Sequence, residues 1–371
     1  MTTEFPLLRL PYLVLMPVLE QMEFMERIAL SLLSKRSRMF LKLIEMKSKY
    51  INLILMDNRI EMGVCCDNNQ EWRLLHYIDE YPQRNFVYRD EILISWCPGS
   101  PLKVDYVISI MDVMHCKSIN QFIVEDISEH DSIPIVAKLP KIDEVVVEYD
   151  LCSNVLSDEA LLQKERILLK ILKSVLPVSS AVTVSYRFQN RNHLLEILKG
   201  NFDAVILKHF DKLITLNDLC ITNTKVLELH KVTLEIRDLN RYFKLWTKKI
   251  CNDRLEYLEV RTYSNTSMDL LLDGLNAVPV PIETKREFRV LGNVKEMRWD
   301  EEITAEFDIK RADGRTATIR FGKSDVDNYI HFYVWPESTN HTINLEPNQF
   351  SLSLFSTICN SCVELFERTF L

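Results

Sequence analysis

The sequence predicts an α+β fold: three N-terminal helices, then a mixed α/β layer and an antiparallel sheet. Three observations carry this prediction. Apolar residues recur at helical spacing through residues 15–44. Helical stripes and short apolar strands then alternate through the middle of the chain. Strand-like alternation marks the segments on either side of that middle, 50–95 and 286–336, which are expected to join in one antiparallel sheet.

The lead-in from Phe5 to Pro11 is read as extended, because each proline keeps its predecessor out of the helical region. Leu15, Val18, Leu19 and Met22 form the first helical stripe; Ile28, Leu32 and Leu33 form the second; Phe40, Leu41 and Ile44 form the third. Pro17 fits if it lies in the first turn of helix one, where its missing N–H has no intrahelical partner. Strand chemistry follows. Ile51, Leu53 and Leu55 alternate with outward positions, Asp57-Asn58 supplies a turn, and Ile60, Met62 and Val64 return. Far downstream, Phe307, Ile309 and Arg311 lead into Asp313-Gly314 and then Thr316, Thr318 and Arg320, a strong hairpin signal. Tyr329–Trp335, aromatic and β-branched, is a further strand.

Between these segments, helical stripes fall around 102–114, 158–175, 190–199, 236–249 and 267–275. Strands are expected at Gln121–Val124, Glu144–Glu148, Val182–Tyr186, Ala204–Leu207, Val226–Leu229 and Leu255–Val260. The last four start roughly 20 to 30 residues apart, the spacing of leucine-rich-repeat units. The run from Leu213 to Leu229 has that character without a strict consensus. The layer is therefore expected to be a degenerate, leucine-rich-repeat-like one.

With 371 residues, two or three domains are expected. A hydrophobic share of 47% beside a charged share of 26% excludes a disordered or fibrous chain. The net charge of −8 is uneven: residues 1–50 carry +3, which leaves −11 elsewhere. So acidic a chain suits nucleic acid poorly, and the short basic run Lys35-Arg36-Ser37-Arg38 reads as a solvated loop. Nine cysteines without regular spacing point to reduced thiols in a cytoplasmic or nuclear protein. Leu10–Leu19, interrupted by Pro11 and Pro17, has no cleavage site after it and is not a signal peptide. No run reaches the roughly eighteen apolar residues of a membrane helix, so no membrane partner is expected. The sequons at Asn265 and Asn340 are accordingly read as coincidental.

Leu10-Pro11, the apolar helix ending Val18-Leu19-Glu20-Gln21-Met22, an acidic spacer and Ile28-Ala-Leu-Ser-Leu-Leu-Ser-Lys-Arg36 together resemble an F-box of the nematode type. Leu234–Trp246, Leu255–Val260 and Phe307–Gly314 resemble the F-box-associated domain of type 2. The similar stretches touch most of residues 4–335, least clearly over 95–200, and Pro17 departs from the pattern. The resemblance implies an F-box at 4–45, an F-box-associated recognition region at 46–336 and a C-terminal tail at 337–371. It implies a substrate-recruiting subunit of a Skp-cullin-F-box ubiquitin ligase, without catalysis of its own or cofactors. Its partners would be a Skp-family adaptor, a cullin and RING subunit reached through it, and a target protein the sequence does not identify. The alternative is a scaffold that binds its partner without ligase activity.

The physics of the helical unit agrees with a partner. Some 40 residues bury too little surface to stand alone. Leu10, Pro11, Val14, Val18, Leu19, Met22, Ile28, Leu32 and Leu33 are the expected adaptor-binding residues, and their apolar surface exceeds what so small an interior can use. The competing reading docks these leucines on the rest of the chain. The local +3 balance would suit an acidic adaptor.

Other motifs carry little. Gly322-Lys323-Ser324 mimics the end of a phosphate loop, but Ala317 stands where the first glycine belongs. Cys359-Asn-Ser-Cys362 lacks a second pair to complete a zinc site. Cys65-Cys66 and His115-Cys116 read as packing residues, and Asp300-Glu301-Glu302 as a solvated acidic run. Phe243 and Trp246 share a helical face with Leu239 and read as core. Tyr329, His331, Tyr333 and Trp335 share one strand face, read as packing in preference to an open recognition surface.

Overall fold

The computed structural model describes residues 7–56, 59–67, 71–77, 105–125, 127, 136–148, 158–186, 188–208, 213–262, 267–282, 286–295, 302–324 and 327–336. The Asp57-Asn58 turn, both sequons, Asp300-Glu301, the Cys359/Cys362 pair and the C-terminal tail lie outside them. The chain forms two compact units, 1–193 and 194–371.

The first unit opens with a 3-10 turn, Leu7–Arg9, where the sequence predicts an extended lead-in. It continues with α1 (Tyr12–Gln21), α2 (Phe24–Leu33) and α3 (Lys35–Lys42), whose first turn takes in the basic run read above as a loop. Pro11 starts α1, its carbonyl accepting from the N–H groups of Val14 and Leu15. Pro17 therefore sits inside the helix, not in its first turn as the sequence led us to expect. The carbonyl four residues before it, deprived of its usual donor, belongs to Leu13, which is 84% exposed and so open to water. Glu23 and Glu26 form a capping box at α2, and Ser34 caps α3 by accepting from Ser37 N–H at 3.1 Å. Leu15, Leu19, Ile28 and Leu41 are buried.

β1 (Ser48–Met56), β2 (Arg59–Cys66) and β3 (Glu71–Tyr77) follow as an antiparallel meander. Ile51, Leu53 and Leu55 alternate into the core as the pattern requires. Helix α4 (Asp105–Val113) then brings β4 (Ile119–Val124) beside β1 in parallel, because a parallel neighbour needs a crossover. β5 (Ile142–Val147) and, after α5 (Asp158–Val175), β6 (Ser179–Val184) extend the parallel run. α4 packs against α2 and α3. Buried Glu165 of α5 accepts hydrogen bonds from the N–H groups of Gln189 and Asn190, holding the start of α6 (Arg191–Leu198).

The second unit contains β7 (Ala204–Lys208), β8 (Leu213–Ile214), α7 (Leu216–Ile221), β9 (Val226–His230), β10 (Thr233–Leu234), α8 (Ile236–Thr247), β11 (Tyr257–Thr262) and α9 (Met268–Leu272). β12 (Val278–Val280), the short hairpin β13 (Arg289–Val290) and β14 (Asn293–Val294), β15 (Glu302–Lys310), β16 (Thr316–Lys323) and β17 (Asn328–Val334) complete it. β7, β9 and β11 run parallel. β17 joins β11 antiparallel, followed by β16, β15 and β12. Gly314, at φ +94°, makes the turn between β15 and β16 that Asp313-Gly314 signals. Gly322 and Lys323 lie in strand β16, which is not the setting of a phosphate loop.

Among the described residues the two flanking segments form antiparallel runs, and no strand of one is paired directly with a strand of the other. β1 has β2 and β4 as neighbours, and β17 has β16 and β11. The α+β class is as the sequence predicts; the pairing differs because each meander finds a parallel strand edge close by in the chain.

In the second unit one face of strand β17 meets α8, where Phe332 stacks on Phe243 with ring centroids 4.6 Å apart and meets Trp246 edge-on at 5.0 Å. Tyr329, His331 and Tyr333 project from the opposite face and are also buried, so they pack and do not form an open surface. Segment 286–295, which carries the β13–β14 hairpin, crosses this face, with Phe288 stacked on Tyr333 at 4.0 Å.

Candidate interaction surfaces

Two sites stand out, one apolar and one charged. The apolar site is on α1. Tyr12, Leu13, Val14, Pro17 and Val18 are exposed and recur at helical spacing, with Leu13 and Val14 at 84% and 50% exposure. Pro11 is exposed and Leu10 half-buried just before them. Apolar side chains left open on so small a helical unit form a ready surface for another protein. Of the other expected adaptor-binding residues, Leu33 is exposed, and Met22 and Leu32 are half-buried. Leu19 and Ile28 are core residues, at 0% and 1% exposure. Tyr12 and Leu13 extend the exposed face that the sequence marks at Val14 and Val18; the stripe Leu15, Val18, Leu19 and Met22 mixes inward and outward positions and does not single them out.

The charged site lies in the second unit. Strand register sets Glu228 of β9 beside Glu259 of β11, with His331 of β17 next in line. Lys295 reaches down from the β13–β14 segment, and its ammonium donates to Glu228 Oε1 at 3.0 Å and lies 3.9 Å from Glu259 Oε2. The same ammonium sits 4.5 Å from the centre of the Tyr257 ring. Tyr257 donates its hydroxyl proton to Glu259 Oε2 at 2.5 Å, and Arg261 Nε donates to Glu259 Oε1. His230 Nε2 lies 3.2 Å from Glu228 Oε2 and 3.6 Å from Glu259 Oε1.

Burial alone would raise both carboxyl pKa values, but neighbouring cations outweigh it. Lys295 is foremost in holding Glu228 down at about 2, and Arg261 then Lys295 hold Glu259 well below the carboxylate range. Burial would lower the Lys295 pKa, but Glu228 and Glu259 together raise it. Burial, reinforced by Glu259, pushes the Tyr257 phenol well up. Glu228, His230 and Glu259 are also a donor set that could hold a metal ion, their ligand atoms lying within 4.8 Å of one another. Lys295 already supplies positive charge there, so a divalent ion would have to displace it. The sequence gives no local signal for this site, since its residues come from strands far apart in the chain.

Comparison with known families agrees with the geometry. Residues 7–49 match the F-box domain, covering α1 to α3 and their lead-in. Residues 193–260 match a family described as F-box associated, covering the parallel strands β7, β9 and β11 with the helices between them. No curated protein and no solved structure matches the chain. The chain therefore carries an F-box domain followed by an F-box-associated domain of type 2. No described helix is long and apolar enough to cross a membrane.

Proposed function

We propose that this protein is the substrate-recruiting subunit of a Skp-cullin-F-box ubiquitin ligase. In this reading α1 docks a Skp-family adaptor, which links the chain to a cullin and a RING subunit. The observation that carries it is the F-box match at 7–49 together with the exposed α1 stripe of Tyr12, Leu13, Val14, Pro17 and Val18. The F-box would extend over 4–45, the recognition region over 46–336 and a tail over 337–371. The recognition region, a degenerate leucine-rich-repeat-like layer in this proposal, captures the target protein. The chain itself does no chemistry and needs no cofactor. Its contribution is proximity, raising the effective concentration of a target near a ubiquitin-loaded enzyme. The working compartment would be the cytoplasm or nucleus.

Co-purification from cells followed by mass spectrometry tests the proposal. Adaptor and cullin peptides in the eluate support it. A target recovered repeatedly without either would favour the scaffold reading in its place.

A further inference from the structure

The Lys295 pocket is built like a receptor for a lysine side chain. Its floor is two buried carboxylates, Glu228 and Glu259, and its wall is the Tyr257 ring. Buried carboxylates require a cation, because neither desolvated charge is tolerable alone. Arg261 of β11 supplies one cation, to Glu259. The second, shared by both carboxylates, is delivered by a separate piece of chain, the 286–295 strap, which forms its own two-stranded sheet and pairs with no other strand among the described residues. Side chains attach it: Lys295 to Glu228, Phe288 to Tyr333, and Arg286 through a two-pronged pair with Asp308 at 2.8 and 3.0 Å. The Lys295 side chain keeps 19% of its exposure, so the pocket has a mouth on the solvent side.

We propose that this pocket is a recognition site for a lysine-bearing segment of a partner protein, and that the strap is its internal occupant. A lysine from outside would replace Lys295 like for like: the two carboxylates keep a cation and the tyrosine ring keeps its charge partner. The desolvation penalty that forbids an empty pocket thus does not oppose an exchange. The strap, tethered at high effective concentration, keeps weak competitors out and admits only segments with further contacts. This inference rests on the reading that the second unit captures a target.

The test uses the full-length chain and a synthetic peptide of residues 286–295, beside the same peptide carrying norleucine in place of its lysine. In the Lys295→Ala variant the lysine peptide should bind about tenfold or more tightly than the norleucine peptide, the worth of a charged hydrogen bond. It should also bind that variant about tenfold or more tightly than it binds the wild type, whose pocket is filled. Equal binding of both peptides, or no binding to a folded variant, overturns the proposal. Should circular dichroism show Lys295→Ala unfolded, the wild type and Phe288→Ala serve instead. Excess lysine peptide should then speed amide hydrogen exchange over 286–295, more in Phe288→Ala, and unchanged exchange overturns the proposal. Adaptor titration of the same proteins reads the ligase proposal separately, since the pocket and α1 share no residue.

Discussion

Phe24 of the F-box stacks on Trp72 of strand β3, with ring centroids 5.2 Å apart and planes 20° from parallel. The F-box is therefore packed onto the α/β part of its own unit. Lys42 pairs with Asp112 of α4, and the His115 ring contacts the Lys42 carbonyl at 3.2 Å. A surface that docks an adaptor on α1 is thus carried on a base that belongs to the α/β region. The α1 stripe stays open beside this packing.

This packing makes a prediction about stability. Phe24→Ala should lower stability by about 1–2 kcal/mol through the lost ring pair and partial burial. Deleting residues 1–45 should lower the melting temperature further, because α4 loses the helices it packs against. A deletion that melts like the full chain would show that the F-box folds apart from the rest.

The faces of α1 should separate binding from folding. Leu13→Asp, at an exposed position, should leave thermal stability within about 0.5 kcal/mol. It should still weaken adaptor binding by about 30-fold or more, the worth of burying one such side chain. Leu19→Ala should do the reverse, lowering stability by about 2–5 kcal/mol through a core cavity. Equal effects of the two substitutions on adaptor affinity at a temperature where both are folded would refute this division.

Acid should loosen the strap. The Glu228 carboxyl titrates at about 2 in the folded chain against an ordinary 4.5, so folding favours its charged form. The stabilisation is complete above about pH 4.5 and is lost as pH falls toward 2. Hydrogen exchange over 286–295 should accelerate across that window, and Glu228→Gln should flatten the dependence. An exchange profile with no change between pH 5 and 2, after correction for intrinsic rates, would contradict the assigned anchor.

The α8 core should tolerate little. Trp246 is fully buried against Phe332, with the Arg311 guanidinium 5.2 Å from its ring centre. Trp246→Ala should cost about 3–5 kcal/mol, read from denaturant unfolding. A loss under about 1 kcal/mol would mean that this helix is not the anchor of the second unit.

What the sequence reveals follows from the range of each interaction. Helix α5 spans Asp158–Val175, the whole predicted stripe, because helical periodicity is written locally. Phe243 and Trp246 read as core for the same reason, and Asp313-Gly314 announces its own turn. The 286–295 hairpin is hard to read in the sequence: its strands are two residues each, and its Leu291-Gly292 turn, at φ +50° and +81°, puts a leucine at the first left-handed position. An N–H from Leu291 to Glu256 Oε2 at 2.9 Å helps hold that turn, a partner no local pattern reveals. Neighbours of β1 and β17 were equally hidden, since alternation fixes the face of a strand but not the strand beside it. The same limit applies to α1, where Leu15 and Leu19 form the inward stripe and Leu13 and Val14 the outward one. Both are apolar, so periodicity alone does not say which faces the core.

The central claim is that α1 docks a Skp-family adaptor. Isothermal titration of the full-length chain with a purified adaptor, repeated for Leu13→Asp combined with Val14→Asp, tests it most directly. The account predicts a saturable complex with the wild type and about 100-fold or greater weakening in the double variant, with unchanged melting temperatures. A folded wild type that gives no complex, or a double variant that binds as tightly as the wild type, would contradict it.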